Sequence, residues 1–264
     1  MAIDAADQPV TFRCDGRTGI ISLARAAAAN SVNRDLAAAF RQAVIRCEED
    51  DAVGIVLIRA EGQYFCVGGD INAFAEAGDD IGALINDLTR DLHDGLARLS
   101  RLRKPVVTVV QGAAAGAGFG IAMAGDFVIA ARSASFRMAY PAIGLTPDAG
   151  VTWLLPRLVG YRRAQEIALL NPKLSADEAY GLGLVTQIVD DGMLDAAVAD
   201  LVQRLTASSL AALGSTRRLM GDALACSFED QLRAEAAAIA DAASVGDGRE
   251  GIAAFLARRA PNFA

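Results

Sequence analysis

The chain of 264 residues carries 32 acidic and 25 basic side chains, and its net charge of −7, without a basic block, argues against nonspecific binding of nucleic acid. Its length is sufficient for one large α/β domain or for a domain with a helical appendage. One histidine and four widely spaced cysteines exclude a multi-histidine metal site and a cysteine-cluster zinc site, so we predict no metal and no redox cofactor.

The N-terminal segment MAIDAADQPV has acidic residues where a signal peptide has basic ones, and no apolar stretch follows it. The sequence therefore gives no indication of a secretory signal. The dispersed cysteines are typical of reduced thiols. We accordingly predict a cytoplasmic protein.

The first half of the chain alternates between strand and helix patterns. The helical pattern after Asn33 is the clearest, because Leu36, Phe40 and Val44 recur on one face. In chain order, the predicted elements are a hairpin at 10–24, a helix at 33–50, a strand at 54–60, a glycine-rich loop at 62–70, a helix at 81–102 and a strand at 105–110.

The second half begins with the same alternation and ends in helices alone. Its predicted elements are a glycine-alanine turn leading into an apolar helix, strands at 124–131, 135–138 and 184–189, and helices at 150–158 and 162–170. From Leu194 onward the pattern is helical. We therefore predict an α/β core over 1–193 and a C-terminal helical region over 194–264. The alanine-rich helices of that region suit packing against another subunit or covering their own core.

The segment VQGAAAGAGFGIAMAGD, from Val110 to Asp126, is the most informative part of the chain. A β-branched strand enters a turn of glycine and alanine, where a ligand can approach the backbone. Backbone N–H groups at a helix start suit a negatively charged oxygen, so this segment predicts an oxyanion site. The stretch has no charged residue between Lys104 and Asp126, yet its glycines favour a buried strand-turn-helix over a membrane span. The spacing of these glycines also does not fit a dinucleotide fingerprint.

Six collinear blocks resemble the crotonase (enoyl-CoA hydratase/isomerase) superfamily over nearly the whole chain. They are RAAAANSVN, GQYFCVGGDI, KPVVTVVQGAAAGAGFGIAMAGD, IGLTPDAGVTWLLPRLVG, LSADEAYGLGLVTQIV and REGIAAFLARRAPNF. The resemblance implies an α/β spiral of ββα units with a C-terminal helical trimerisation region. It also implies a coenzyme A thioester as substrate and a homotrimer or a dimer of trimers, with no membrane partner.

By motif position, the resemblance implies that the N–H groups of Gly69 and Ala117 hold the thioester oxygen. Gly116 would lie beside them on the substrate path. Formation of an enolate from a thioester places charge on the carbonyl oxygen, and each fixed donor stabilises that charge by about 3–4 kcal/mol. A turn glycine without any such role is the alternative for Gly69 alone.

The resemblance defines the coenzyme A contacts less clearly than the two oxyanion donors. Arg25 would contact a phosphate or remain a solvated charge, and Asp70 would accept a bond from the adenine or cap the following helix. Phe255 and Arg258 would reach the nucleotide of a neighbouring subunit. Residues implied to line the adenine and pantetheine path are Ala26, Ala28, Val67 and Ile71.

Two departures from the family pattern bear on the chemistry. Hydratases of the family place two glutamates around a water, whereas the corresponding positions here are Gly120 and Tyr140. Neither residue supplies a carboxylate, so water addition by two glutamates is not expected. Tyr140 would instead line the acyl pocket, with Phe65, Phe74 and Phe119.

A carboxylate does occur at Asp148, in LTPDAGVTWLLPRLVG. This segment and the C-terminal REGIAAFLARRAPNF resemble the ring-1,2-epoxyphenylacetyl-CoA isomerase branch, in which the aspartate moves a proton. One base can remove a proton beside the thioester carbonyl and return it further along the chain. The alternative for Asp148 is a turn residue, since Pro-Asp-Ala-Gly suits a turn.

The sequence therefore predicts an acyl-CoA isomerase and leaves other functions open. A hydratase with a non-standard site and a catalytically idle acyl-CoA-binding protein are two of them. A third is a 4-chlorobenzoyl-CoA dehalogenase-like enzyme, because that group carries an aspartate and a histidine at the positions of Asp148 and His93. Such enzymes grip the aromatic ring with tryptophans, whereas position 140 here is a tyrosine. The helical pattern around His93 favours a packed or surface histidine over a catalytic one.

Overall fold

The computed structural model describes residues 8–263, so most of the N-terminal segment on which the signal-peptide prediction depends lies outside the described residues. Two sheets organise the chain. The strands are β1 (Val10–Asp15), β2 (Thr18–Leu23), β3 (Ile55–Ala60), β4 (Val106–Val110), β5 (Ala113–Ala115), β6 (Phe127–Ala131), β7 (Ser135–Arg137), β8 (Leu174–Ser175) and β9 (Gln187–Val189).

The larger sheet has six strands in the order β1-β2-β3-β4-β6-β9. Only the β1–β2 hairpin is antiparallel, and Gly16 allows its tight turn with a φ of 54°. The remaining neighbours are parallel. Strands β3 and β4 are almost continuously apolar because both faces of this sheet are covered.

The smaller sheet has the order β5-β7-β8. Successive strands alternate between the sheets: β4 and β6 lie in the larger one, and β5 and β7, which follow them, lie in the smaller one. This alternation generates the repeated ββα arrangement implied by the resemblance. The α/β class is thus confirmed.

Eleven α-helices surround and extend these sheets within the described residues. They are α1 (Arg34–Glu49), α2 (Ile71–Ala77), α3 (Ile81–Arg101), α4 (Ala117–Met123), α5 (Val151–Val159), α6 (Tyr161–Leu170), α7 (Ala176–Gly181), α8 (Leu194–Thr206), α9 (Leu210–Asp222), α10 (Phe228–Ser244) and α11 (Gly246–Leu256). Helix α1 begins at Arg34, one residue after the predicted start, and is capped by Asn33, whose side chain accepts a hydrogen bond from the Leu36 amide.

Separate apolar clusters cover the two faces of the larger sheet. One cluster includes α1, α3 and α4 and contains the fully buried Phe40, Leu92 and Phe119. The other joins Leu57 and Val107 of the sheet to Val198 of α8. Helix α8 therefore packs directly on the sheet, whereas α10 has no buried residue in the single chain. The division of the chain at residue 194 into two functional regions stays a prediction.

Several boundaries and short elements differ from the sequence prediction. Strand β6 begins at Phe127 rather than at position 124 because Ala124 still ends α4. The last strand begins at Gln187, since the chain leaves α7 through Gly183 with a φ of 78°. Strand β5, which was predicted as turn, strand β8 and helix α7 have no counterpart among the predicted elements. No helix among the described residues combines the length and apolar character needed to cross a membrane.

Candidate active site

Two glycine-rich loops meet beside the start of α4. The amide of Ala115 donates to the carbonyl of Cys66 over 2.9 Å and so joins the loops. A Cβ atom on Gly68 would lie 3.3 Å from the Cα atom of Gly116, and both glycines have positive φ values. Only residues without side chains allow this close approach.

The two N–H groups predicted to hold an oxyanion lie on these adjoining loops. Gly69 is flanked by two hydrogen bonds that fix its loop, from Val32 to the Gly68 carbonyl and from Asp70 to the Val32 carbonyl. Ala117 is the first residue of α4, so its amide precedes the intrahelical hydrogen bonds. Within residues 8–263, neither Gly69 nor Ala117 uses its N–H as a donor to another protein group. Both N–H groups are therefore left without a protein acceptor.

Asp148 lies near the two glycine-rich loops and accepts a hydrogen bond from Tyr140. The phenol oxygen of Tyr140 donates to Oδ1 of Asp148 over 2.5 Å. Burial, followed by the negative charge of Asp148, raises the pKa of Tyr140 well above its ordinary range, so the phenol remains a proton donor. The second carboxylate oxygen, Oδ2, accepts no hydrogen bond within the described part of the chain.

His93 also reaches this site, from helix α3. Its Nε2 accepts the amide N–H of Ala149 over 3.1 Å and lies 3.9 Å from Oδ2 of Asp148. His93 is thus a largely exposed histidine, with 47% of its side chain accessible, that also contacts the Asp148 segment. Whether it takes part in the chemistry stays a prediction. Helical periodicity gave no signal for this contact, because the partner lies 56 residues further along the chain.

The backbone around the Tyr140–Asp148 pair has unusual torsions. Ala139 and Ala149, the residues before Tyr140 and after Asp148, have φ values of 66° and 50°. Left-handed backbone is unfavourable for residues with a Cβ atom, and surrounding contacts must maintain it. The amide of Ala139 donates to Oδ1 of Asn171, and that of Ala149 donates to His93.

The packing around Gly120 leaves no room for a side chain at that position. A Cβ atom on Gly120 would lie 2.5 Å from the Ala149 carbonyl oxygen and 2.6 Å from the Ala149 Cβ atom. The segment that carries Asp148 thus occupies the space that a glutamate at position 120 would need. The backbone of the Asp148 segment therefore packs against Gly120 where a hydratase of the family has a glutamate.

Cys66 is a buried neighbour of the site. Burial raises the pKa of its thiol to about 12, the Gly68 amide opposes this increase, and the charge of Asp148 adds to it. The thiol therefore remains protonated at neutral pH and is a poor nucleophile.

Arg25 and Asp70 form an ion pair at the mouth of the first loop. Nη2 of Arg25 lies 3.0 Å from Oδ2 of Asp70, and Nη1 of Arg25 binds the Ser31 carbonyl. Asp70 also caps α2 by accepting the Ala73 amide. Burial would raise the pKa of Asp70, but the hydrogen bond from Arg25 and the Ala73 amide bring it below its usual value.

The other predicted substrate contacts divide between surface and core. Val67 and Ile71 are exposed, and Ala26 and Ala28 border a cleft of about 350 Å³. Phe74 covers Gly69, since its ring lies 2.6 Å from where a Cβ atom of that glycine would be. The expectation that Phe65 and Phe119 line the acyl pocket is wrong: both have no exposed surface and belong to the core.

Phe255 and Arg258 lie far along the chain, at the end of α11. Phe255 is 83% exposed, and Arg258 has a φ of 52° just beyond the helix. Within the described residues no hydrogen bond or ion pair connects them to the two glycine-rich loops. In the single chain these residues remain on the surface. No set of three histidine, cysteine or acidic side chains in the described ranges is grouped to hold a metal ion.

Residues 16–264 of the chain match the model of the Enoyl-CoA hydratase/isomerase family. The 1,2-epoxyphenylacetyl-CoA isomerase of Escherichia coli (strain K12) is 37% identical over 92% of this chain and 93% of its own length. A probable enoyl-CoA hydratase of Rhodobacter capsulatus is 35% identical over the same shares of the two chains. The crystal structure of an enoyl-CoA hydratase from Polaromonas sp. JS666 superposes with a TM-score of 0.91 at 31% identity, covering 97% of this chain and 99% of that one.

Proposed function

The chain belongs to the enoyl-CoA hydratase/isomerase family, and from this premise we propose that it is an acyl-CoA isomerase with one aspartate base. The reaction would shift a double bond, or rearrange a ring, by moving a proton. One observation carries the proposal: Asp148 presents an unbonded carboxylate oxygen at a site where Gly120 and Tyr140 replace the two glutamates.

In the proposed mechanism, the N–H groups of Gly69 and Ala117 bind the thioester oxygen. They are fixed before substrate arrives, so they stabilise negative charge on the enolate oxygen without reorganisation. Oδ2 of Asp148 takes the proton from the carbon next to the carbonyl and returns it to a carbon further along the acyl chain. Tyr140 holds Oδ1 throughout and forms one wall of the acyl site.

We propose that coenzyme A enters along the cleft bordered by residues 25–28 and along residues 67–71, past Gly116. The exposed side chains of Val67 and Ile71 and the cleft of about 350 Å³ beside Ala26 and Ala28 support this path. Arg25 would contact a phosphate with the guanidinium edge that Asp70 and Ser31 leave free. Asp70 would position α2 and also be available to the adenine.

We further propose a homotrimer or a dimer of trimers. Apolar side chains remain exposed on α10 and α11, including Phe228, Ile239 and Phe255. Association through these helices would cover that surface. It would also bring Phe255 and Arg258 toward the nucleotide of a neighbouring copy, the role proposed for them.

The isomerase proposal is tested by mass spectrometry of a 3-enoyl-CoA and a 2-enoyl-CoA incubated with the protein in heavy water. The expected product has a shifted double bond, deuterium bound to carbon and no added water. Addition of water at ordinary hydratase rates would contradict the proposal. If neither ester changes while both bind in a titration, a non-catalytic acyl-CoA-binding protein is favoured.

A dehalogenase-like reaction is the second candidate, favoured by the 3.9 Å separation of His93 Nε2 and Asp148 Oδ2. In that reaction the carboxylate would attack an aromatic ring, chloride would leave, and water activated by a base would hydrolyse the resulting aryl ester and free Asp148. Chloride release from 4-chlorobenzoyl-CoA distinguishes it from isomerisation. We expect no sustained release, because Nε2 of His93, which would have to activate this water, is engaged with the Ala149 amide.

A further inference from the structure

We propose that His93 is a positioning residue for Asp148: its neutral Nε2 fixes the peptide that joins Asp148 to Ala149. This inference rests on the proposed function, in which Asp148 carries the proton. The hydrogen bond of 3.1 Å is made by the amide immediately after Asp148. His93 therefore restrains the rotation of the backbone that carries the carboxylate.

The hydrogen bond determines which nitrogen of the imidazole carries the proton. An amide N–H can donate only to a ring nitrogen without hydrogen, so Nε2 is unprotonated and Nδ1 carries the hydrogen. Nε2 consequently has no proton to give to Oδ2 of Asp148, which lies 3.9 Å away. The geometry thus supports a role in holding Asp148 rather than in exchanging a proton with it.

The backbone that follows Asp148 has a conformation that surrounding contacts must maintain. Ala149 and Gly150 have φ values of 50° and 74°, and α5 begins directly after them. Ala149 is buried and packs against Gly120. Since left-handed backbone is unfavourable at an alanine, loss of the His93 acceptor would allow this peptide to turn and carry Asp148 with it.

The backbone of α3 at His93 is held in place through the two neighbouring residues in the sequence. Leu92 is fully buried in the core. Asp94 binds Arg41 of α1, at 2.5 Å, and Arg98 of its own helix, at 3.1 Å. The helix that carries the imidazole is therefore fixed against α1, and the Asp148 segment lies between His93, whose side chain is 47% exposed, and Tyr140.

Two substitutions separate holding from proton chemistry. In His93→Gln, the side-chain oxygen can accept the Ala149 amide, but the imidazole is absent. In His93→Leu, a side chain of similar size has no acceptor. We expect kcat for double-bond isomerisation to fall at least about 10-fold in His93→Leu with KM nearly unchanged, and to remain within about 3-fold of the unsubstituted protein in His93→Gln.

A second readout does not depend on turnover. Hydrogen–deuterium exchange of the peptide covering 146–150 should be faster in His93→Leu and nearly unchanged in His93→Gln. Equal kcat in His93→Leu and the unsubstituted protein would overturn the proposal. So would a loss in His93→Gln as large as that in His93→Leu with exchange still protected, because the imidazole would then act chemically.

The variant Asp148→Asn separates failure of this inference from failure of the proposed function. If Asp148→Asn is inactive and His93→Leu is fully active, only the role of His93 is wrong. If Asp148→Asn retains full activity, the proposed function itself is wrong. With both roles correct, adding His93→Leu to Asp148→Asn should lower the residual rate no further, because the two changes affect the same step.

Discussion

The hydroxyl of Tyr140 lies 2.5 Å from Oδ1 of Asp148, and this pair joins one of the two positions that carry a glutamate in a two-glutamate hydratase to the proposed base. A tyrosine at position 140 does not supply a base. It orients one, because its buried phenol keeps its proton and donates it in a hydrogen bond to the carboxylate. One oxygen of Asp148 is thereby occupied and the other is left for substrate.

Tyr140→Phe should lower kcat for isomerisation about 10-fold with little change in KM. The substitution keeps the aromatic wall of the site and removes only the hydrogen bond to Asp148, which corresponds to about 1.4 kcal/mol. Steady-state kinetics with a 3-enoyl-CoA measure the effect, with Tyr180→Phe, an exposed tyrosine of α7, as the control. An equal kcat in Tyr140→Phe and the control would remove the orienting role.

Gly120→Ala should destabilise the protein by about 1–3 kcal/mol and also reduce activity. Even a methyl group at this position approaches the Ala149 carbonyl oxygen to 2.5 Å, so the Asp148 segment must move. The matched control is Gly82→Ala in α3, where a Cβ atom meets nothing within 4 Å. That variant should be slightly more stable, because alanine is the better helix former. Thermal unfolding and kcat measured on both variants test the prediction.

The same packing predicts that Gly120→Glu will not create a hydratase. The longer side chain would displace the segment with the only base of the proposed mechanism, so both isomerisation and hydration should be absent. Product analysis by mass spectrometry measures this. Efficient water addition by Gly120→Glu would show that the packing of Gly120 against Ala149 is not an obstacle.

Ala117→Pro tests the oxyanion donor directly. Proline is well tolerated at the first position of a helix, and it has no N–H. Because Ala117 is the first residue of α4, the fold should survive while kcat falls by about 10²–10³-fold. Arg34→Pro, at the first position of α1, is the control and should leave kcat unchanged. A similar kcat for both variants would argue against a role for the Ala117 amide.

The buried thiol of Cys66 predicts a loss of stability at alkaline pH. Its pKa is raised to about 12 in the native state, whereas an unfolded thiol titrates near about 8.5. Above that lower value the unfolded state releases the proton first, so the free energy of unfolding falls with pH by up to about 1.4 kcal/mol per pH unit. The stability that the native state gains by keeping the Cys66 thiol protonated is fully present below about pH 8.5 and is lost toward pH 12.

Urea unfolding at pH 8, 9 and 10 compares the unsubstituted protein with Cys66→Ala. The variant should lose stability less steeply, although Cys47, whose pKa burial also raises to about 12, keeps part of the slope. The difference at neutral pH reports the cavity left by the sulfur and does not affect the comparison of slopes. Identical slopes would mean that the Cys66 thiol is solvated in the native state.

Much of the fold was predictable because its signals are local. The periodicity of α1, the apolar runs of β3 and β4, and the glycines of the two loops depend on neighbouring residues in the sequence. The short elements β5 and α7 were harder to predict from the sequence. The first is stabilised by pairing with a distant strand, and the second is marked only by the Ser175–Glu178 capping box.

The contacts that define the site were not predictable from local patterns. The pairing of Arg25 with Asp70 spans 45 residues, and the approach of His93 to Ala149 spans 56. Such contacts depend on how helices and loops pack in three dimensions. Sequence motifs identified Asp148 as the candidate base, but only the three-dimensional packing revealed that Tyr140 and, from α3, His93 contact its segment.

Proton transfer through Asp148 is tested by deuterium incorporation in the unsubstituted protein and in Asp148→Asn. Each is incubated with a 3-enoyl-CoA in heavy water, and mass spectrometry follows the deuterium bound to carbon over time. Proton transfer through Asp148 predicts that the substitution slows incorporation at least about 10²-fold, while binding of the thioester is retained. Incorporation at an unchanged rate in Asp148→Asn would contradict the mechanism.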